Sequence, residues 1–272
     1  MIATPAAMVI TRLNGRDASA DDLRALAIGN YGHFTAMQVR GRAVQGLRHH
    51  LDRLQAATRE LFSTELDQDR IREVLRDAVC AGPGDSSLRL TVFARGFDYR
   101  HALRPVEVDL LVTLSPPTSP DKPPLRVKSY VFTRPLPHIK HVGTFPLFHH
   151  RRLALQDGWD DALFVGQDGQ LIEGSIWNLG LWDGQQVVWP EGPALRGTNE
   201  RLIADGLAAL GIPQSSRVVR LDDLTAFQAA FASNASGFQA VTAIDQASWP
   251  VDAALLGLLE RALATQTWDA LD

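Results

Sequence analysis

The stretch "DALFVGQDGQLIEGSIWN", residues 161–178, decides how the rest of the chain is read. It starts with the apolar run Ala162–Val165, turns through "GQDG", and resumes as "LIEG" before a Gly-Ser step and another apolar run. Short apolar runs bounded by Gly-rich turns predict strands rather than helices. Glu173 falls at the end of the strand that begins with "ALFV". A carboxylate there suits pairing with a protonated ring nitrogen, and it also suits a strand-end acid that caps the next turn.

Working outward, "NLGLWDGQQVVWP" continues the strand pattern with another Gly turn, and "LRVKSYVF" precedes it as a further strand. "TNERLIADGLAALGI" predicts a helix ending at Gly211, with Pro213 shortly after. "LDDLTAFQAAF" and "DAALLGLLERALATQ" predict two more helices, and "FASNASGFQAV" reads as a small-residue turn between a helix and a strand. The segment "SPPTSPDKPP", residues 115–124, holds five of the 15 prolines and no apolar periodicity, which predicts an interdomain linker. It divides a smaller N-terminal domain, 1–114, from a larger C-terminal one, 125–272.

Within the first part, "AMVITRLNGRDAS" alternates as a short strand that turns at Asn14-Gly15. "HFTAMQVRGRAVQGL" predicts a hairpin around Arg40-Gly41. Leu47, Leu51, Leu54, Ala57 and Leu61 share one helical face. "DQDRIREVLRDAVCA" is a second amphipathic helix, capped by Asp67 or Asp69 and closed by Gly82-Pro83-Gly84-Asp85. "SLRLTVFARG" and "VEVDLLVTLS" alternate as strands, so the class is α+β.

The bulk properties are those of an ordinary soluble globular protein. The 272 residues are 45% hydrophobic and 21% charged, with a net charge of −4 that offers no general attraction to nucleic acid or acidic membranes. The single cysteine, Cys80, leaves no internal disulfide framework and is expected to be a small buried hydrophobe. The N-terminal "MIATPAAMVITRLNGR" has no basic start followed by an apolar run, and no stretch is long enough to span a membrane. A cytoplasmic location is expected.

Phosphate-loop, GxGxxG, HExxH and CxxC motifs are absent. Adjacent histidines on a helix point to different faces, so His49-His50 and His149-His150 are read as surface or helix-end residues. Lys140, one of only three lysines among 27 basic residues, sits in "PHIKHVG". Partial burial and neighbouring imidazoles would favour its free amine and nucleophilic use; a strand-end lysine reaching solvent is the plainer alternative. "PALRGTNERL" places a Gly-Thr-Asn turn at a helix start, where free N–H groups suit a phosphate or Thr198 or Asn199 simply caps the helix. "SNASG" could supply further N–H donors.

The order of these pieces resembles the class IV aminotransferases, the fold-type IV pyridoxal-phosphate (PLP) enzymes, a group that includes branched-chain and D-amino-acid aminotransferases and aminodeoxychorismate lyase. "HLDRL", then Lys140, then "DDALFVGQDGQLIEGSIWN", "ALRGTNERL" and "SNASGFQAV" follow the family order from about Tyr31 to Asp245. The resemblance implies a small N-terminal α/β sandwich domain and a larger C-terminal pseudo-barrel domain. It also implies a homodimer with PLP as cofactor. Lys140 is similar to the lysine that attaches the cofactor and shuttles the substrate Cα proton, and Glu173 to the acid that keeps the pyridine nitrogen protonated. Arg53 is similar to the phosphate-binding arginine, and Leu195 to the residue that packs on the ring. Gly197, Thr198 and Asn199 match the phosphate turn, and Ala235 matches a third phosphate contact.

The chain departs from the family at several positions. Phe145 stands where a tyrosine usually meets the cofactor's phenolic oxygen. "LRGTNE" replaces Leu-Pro-Gly-x-Thr-Arg, so Arg196 and Asn199 are unusual, and Ala235 lacks a threonine hydroxyl. His33 and Thr35 flank Phe34, a substrate-side residue, where most members have a small residue and an acid. Arg100, four residues after Arg95-Gly96, resembles the substrate-carboxylate arginine of D-amino-acid aminotransferases, or is a loop-surface residue. The resemblance implies a transaminase acting on small amino and keto acids. "HFTAM" and the missing tyrosine are similar to aminodeoxychorismate lyase, and a PLP-binding paralogue with little catalysis, a regulator or vitamin carrier, is a third reading.

Overall fold

A computed structural model describes residues 9–271, and the start of the predicted first strand, Ala7–Met8, lies outside them. The chain forms two compact units. One comprises the chain up to Thr118 together with Ile139–Gly143 and the chain from Trp268 on; the other comprises Ser119–His138 and Thr144–Thr267.

The first unit is built on a five-stranded sheet in the order β2-β1-β6-β5-β3. β1 (Ile10–Leu13) and β2 (Arg16–Asp17) form a hairpin whose Asn14 and Gly15 both take positive φ, the requirement of a tight two-residue turn. α1 (Ala20–Gly29) follows, with Ser19 and Asp22 forming a reciprocal cap. β3 (His33–Val39) leads to β4 (Ala43–Gln45), which meets it only through an Arg40–Ala43 bridge and pairs instead with Trp268–Ala270. α2 (Leu47–Phe62) and α3 (Gln68–Ala81) precede β5 (Ser86–Phe93) and β6 (Asp109–Ser115).

Strand alternation sorts this sheet into two faces. Met37, Val39, Leu88, Leu90, Val92, Leu110, Val112 and Leu114 pack with the apolar stripes of α2 and α3. Leu13, Phe93 and Leu111 pack against Leu23 and Leu26 of α1 on the other side. Two sequence expectations need correction here. Cys80 is exposed: the buried stripe of α3 ends with Ala78 and Val79, and the next residue turns off it. His50 is buried, because it falls one turn after Leu47 on the apolar face of α2.

The second unit is a mixed sheet. β7 (Leu125–Val131) is followed by α4 (Phe145–Gln156), β8 (Asp161–Val165), β9 (Leu171–Gly174), β10 (Asn178–Trp182) and β11 (Val187–Pro190). α5 (Thr198–Ala209), β12 (Gln214–Arg217), β13 (Ala229–Asn234), β14 (Gly237–Ile244), β15 (Ala247–Ser248) and α6 (Ala253–Ala264) complete it. Strand order is β12-β11-β10-β13-β14-β7-β8-β9, and the terminal β9 contacts β10, so the sheet curls on itself. The apolar interior includes Val127, Leu163, Leu179, Leu181, Ala232 and Val241. α5 and α6 cover the outside and approach closely at Gly206, where a Cβ would lie 2.1 Å from the Ala262 carbonyl oxygen.

The region "LDDLTAFQAAF" is not one helix. A 3-10 turn over Leu221–Ala226 gives way to β13, whose Ala229–Ala232 are all buried. Burial in a central strand overrides the helix preference of alanine. "SNASG" is therefore the turn of a β13–β14 hairpin, not a helix-to-strand turn. No helix among the described residues is long and apolar enough to cross a membrane.

Candidate active site

In the first unit, Lys140 is fixed through β3. Phe34 N–H donates to the Lys140 carbonyl (2.8 Å), Val142 N–H donates to Gly32 O (3.0 Å), and His33 bridges to His141. Segment 139–143 thus lies along β3 like a short added strand, and hydrogen bonding rather than sequence position assigns it to this unit. The alternation of β3 then separates two functions. Phe34 carries the Arg89 guanidinium over its ring, 3.6 Å from the centroid, and the Lys140 Nζ lies 4.9 Å from the same centroid. Arg89 also donates to Thr91 Oγ1 (3.2 Å), and burial lowers the guanidinium below its ordinary value without discharging it. Sequence reasoning missed Arg89; its position opposite Ala36, beside Phe34 on the pleat, was the available signal.

The alternate residues of β3 face α2. His33 Nε2 meets Thr58 Oγ1 at 2.9 Å, and Thr35 Oγ1 meets His50 Nδ1 at 2.5 Å. Arg53 donates to that same Thr35 oxygen (2.5 Å). Thr35 Oγ1 thus accepts from Arg53 and makes a second hydrogen bond with His50 Nδ1, whose donor is set by the imidazole tautomer. Burial, reinforced by Arg53, pushes the His50 pKa far down and that of His33 to about 3. The "HFT" segment therefore sets both Lys140, through the Phe34 peptide, and Arg53, through the Thr35 side chain.

In the second unit the opening stretch folds into a polar frame. Glu173 lies in the returning strand β9, not at the end of the first strand, and is buried with Arg134. Arg134 Nη2 donates to Glu173 Oε2 (2.9 Å), and Leu195 N–H donates to the same oxygen (3.2 Å). Gly174 leaves space for the Trp177 ring, which a Cβ would meet at 1.9 Å. The Ser175 hydroxyl donates to Asp161 (2.6 Å), and Asn178 Nδ2 donates to the Leu195 carbonyl (2.6 Å). Each polar residue of Asp161…Glu173-Gly174-Ser175…Asn178 thus braces the sheet end or the Leu195 turn. Arg134 was missed, since a loop arginine carries no periodic signal.

That turn opens α5. Gly197 is the N-cap and gives no side-chain cap, so neither Thr198 nor Asn199 serves as an ordinary cap. A Cβ on Gly197 would lie 2.3 Å from Asn178 Oδ1. Arg196, in the place of proline, bonds Glu200 Oε1 (2.9 Å) and Pro190 O (3.0 Å). Asn199 Nδ2 donates to Gly237 O (3.1 Å), tying α5 to the turn that carries Ala235.

Two candidates lie on the surface. Arg100 is exposed in the short helix Tyr99–His101, next to the Tyr99 ring and 3.9 Å from Asp98. Phe145 is 73% exposed at the first position of α4 and stacks on His149.

The sequence profile described as amino-transferase class IV matches residues 32–244. The chain belongs to the class IV aminotransferase family. No curated protein sequence matches it, but solved structures share its fold. A hypothetical aminotransferase from Mycobacterium tuberculosis in its apo form is 20% identical, with a TM-score of 0.80 over 94% of this chain and 98% of that one. The branched-chain aminotransferase of Thermoproteus uzoniensis, solved with norvaline, is 18% identical (TM-score 0.82; 94% and 93% covered). The 4-amino-4-deoxychorismate lyase of Pseudomonas aeruginosa is 23% identical (TM-score 0.77; 93% and 97% covered). The α+β, fold-type IV architecture and the PLP cofactor follow from this membership. The residues present fit that cofactor: an uncapped helix start with no room for a Cβ suits a phosphate, and a buried carboxylate suits a pyridinium.

Proposed function

We propose that the chain is a PLP-dependent transaminase that takes an amino acid or related amine and a keto-acid acceptor. One observation carries the reading: Phe34 holds the Lys140 amine and the Arg89 guanidinium over one ring, which puts a carboxylate-binding cation beside a proton-transferring base. When bound, PLP supplies an electron sink for the substrate carbon. Lys140 anchors the cofactor and moves the proton at the substrate Cα. Arg89 grips the substrate carboxylate, for which a planar fork is suited. Glu173, paired with Arg134, holds the pyridine nitrogen. Arg53, aimed by Thr35, is proposed for the phosphate, as are Gly197, Thr198, Asn199 and Ala235, and Leu195 is proposed for the ring face.

A lyase reading rests on Phe145, which lacks the hydroxyl of the family tyrosine, and on the His33-Phe34-Thr35 segment. The two readings part in one assay. Transamination predicts conversion of the bound cofactor to its amine form by some member of a panel of D- and L-amino acids. No conversion with any donor, together with pyruvate release from aminodeoxychorismate, would replace the transaminase with the lyase. Arg100, on an exposed loop, is assigned to substrate entry or to a neighbouring subunit's site within a homodimer, and the enzyme to the cytoplasm. Sedimentation at micromolar concentration tests the dimer: a monomer would overturn it.

A further inference from the structure

The turn between β13 and β14 is braced from three sides. Ser236 N–H and its hydroxyl both bond Asn234 Oδ1, at 3.0 and 2.7 Å, and Asn199 ties Gly237 to the start of α5. Lys122, from the Pro-rich segment, is the third brace. Its Nζ lies 2.9 Å from Ser236 Oγ and 3.4 Å from Asn234 Oδ1.

Both oxygens that Lys122 meets are neutral. Burial alone accounts for its lowered pKa, about 8, with no carboxylate contributing among the described residues. A half-buried ammonium without a counter-charge is costly, and an anion at that place offsets the cost. In β13, Ser233 Oγ is buried and has no hydrogen-bond partner among the described residues. Ser233 pairs directly with Asn178 across β10 and β13, so both side chains stand on one face of the sheet. Asn178 is the residue that braces Leu195 and lies against Gly197. Ser233 is thus linked through Asn178 to the start of α5, and Lys122 flanks Ala235 through its bonds to Asn234 and Ser236.

We propose that Lys122 is a further phosphate-binding residue of the cofactor site, supplying charge where Ala235 lacks the threonine hydroxyl. The inference rests on the reading of Gly197–Asn199 and Ala235 as the phosphate cradle. In the alternative, Lys122 only staples the linker to the turn.

The test is binding of PLP and of pyridoxal, which lacks the phosphate, to cofactor-free wild type, Lys122→Met and Lys122→Arg. A lost charge-assisted hydrogen bond predicts that Lys122→Met weakens PLP roughly tenfold or more, leaves pyridoxal unchanged, and is largely rescued by Lys122→Arg. Equal PLP affinity in wild type and Lys122→Met, or a parallel loss of both ligands, would overturn it in favour of the staple. If wild type binds no PLP, the cradle reading itself fails and this inference with it. Should Lys122→Met not fold, wild type alone decides, because its three lysines can be resolved by side-chain nitrogen resonances. PLP should move the Lys122 signal and pyridoxal should not; a signal indifferent to PLP would refute the assignment.

Discussion

Replacing Arg134 by methionine tests whether the frame around Glu173 is an ion pair on which the second unit depends. The side chains of Arg134 and Glu173 are 5% and 3% exposed, and they meet at 2.9 Å. Desolvation of two charges is tolerable there because each offsets the other, and the carboxylate also accepts the Leu195 N–H. Removing one partner of such a pair costs about 3–5 kcal/mol, whereas neutralising both is often close to neutral. Arg134→Met should therefore lower the stability of the cofactor-free protein by that amount. Glu173→Gln in the same background should recover most of it, giving a coupling energy of about 2 kcal/mol or more. Urea denaturation of the four proteins of this cycle, followed by tryptophan fluorescence and circular dichroism, measures it. An Arg134→Met protein within about 1 kcal/mol of wild type, or strictly additive losses, would refute the reasoning.

Two further outcomes follow from the same geometry. His33 has a folded pKa of about 3, and its unfolded value is about 6.5. The unfolded chain therefore takes up a proton that the fold refuses, so stability is complete above the unfolded value and is lost as pH falls. By pH 5 this amounts to about 2 kcal/mol from His33, with a further loss of the same sign from His50. Urea midpoints that stay flat between pH 7.5 and 5 would contradict it. Gly197→Ala forces a Cβ against Asn178 Oδ1 at 2.3 Å, which disturbs the Leu195 turn and should weaken PLP more than pyridoxal; unchanged PLP affinity in titration would count against the cradle.

Much of this was legible in the sequence where chemistry and periodicity coincide. The α2 stripe was readable because Leu47, Leu51, Leu54 and Ala57 repeat at helical spacing, and the same spacing would have marked His50 as buried. The Asn14-Gly15 turn was readable because few residues tolerate two successive positive φ values. α1 went unassigned although its Ser19–Asp22 cap was in plain sight, because its few apolar residues make a weak stripe. α4 was hidden for a different reason: Phe145, Phe148 and Leu155 are exposed, so apolar residues surround the helix and only Leu147 and Ala154 are buried. β13 was misread because alanine favours helices until a central strand buries it. Arg89, Arg134 and Lys122 were out of reach for one reason. Each matters through a partner distant in sequence, and one chain read alone does not reveal such pairs.

The central claim is that Lys140 is the residue that anchors the cofactor. With three lysines in the chain, borohydride reduction of the PLP-loaded protein followed by peptide mass spectrometry identifies the anchoring residue directly. The account predicts a reduced pyridoxyl group on the peptide carrying Lys140, absent from Lys140→Ala. A group fixed on Lys122 or Lys128, or none on any lysine, would contradict it.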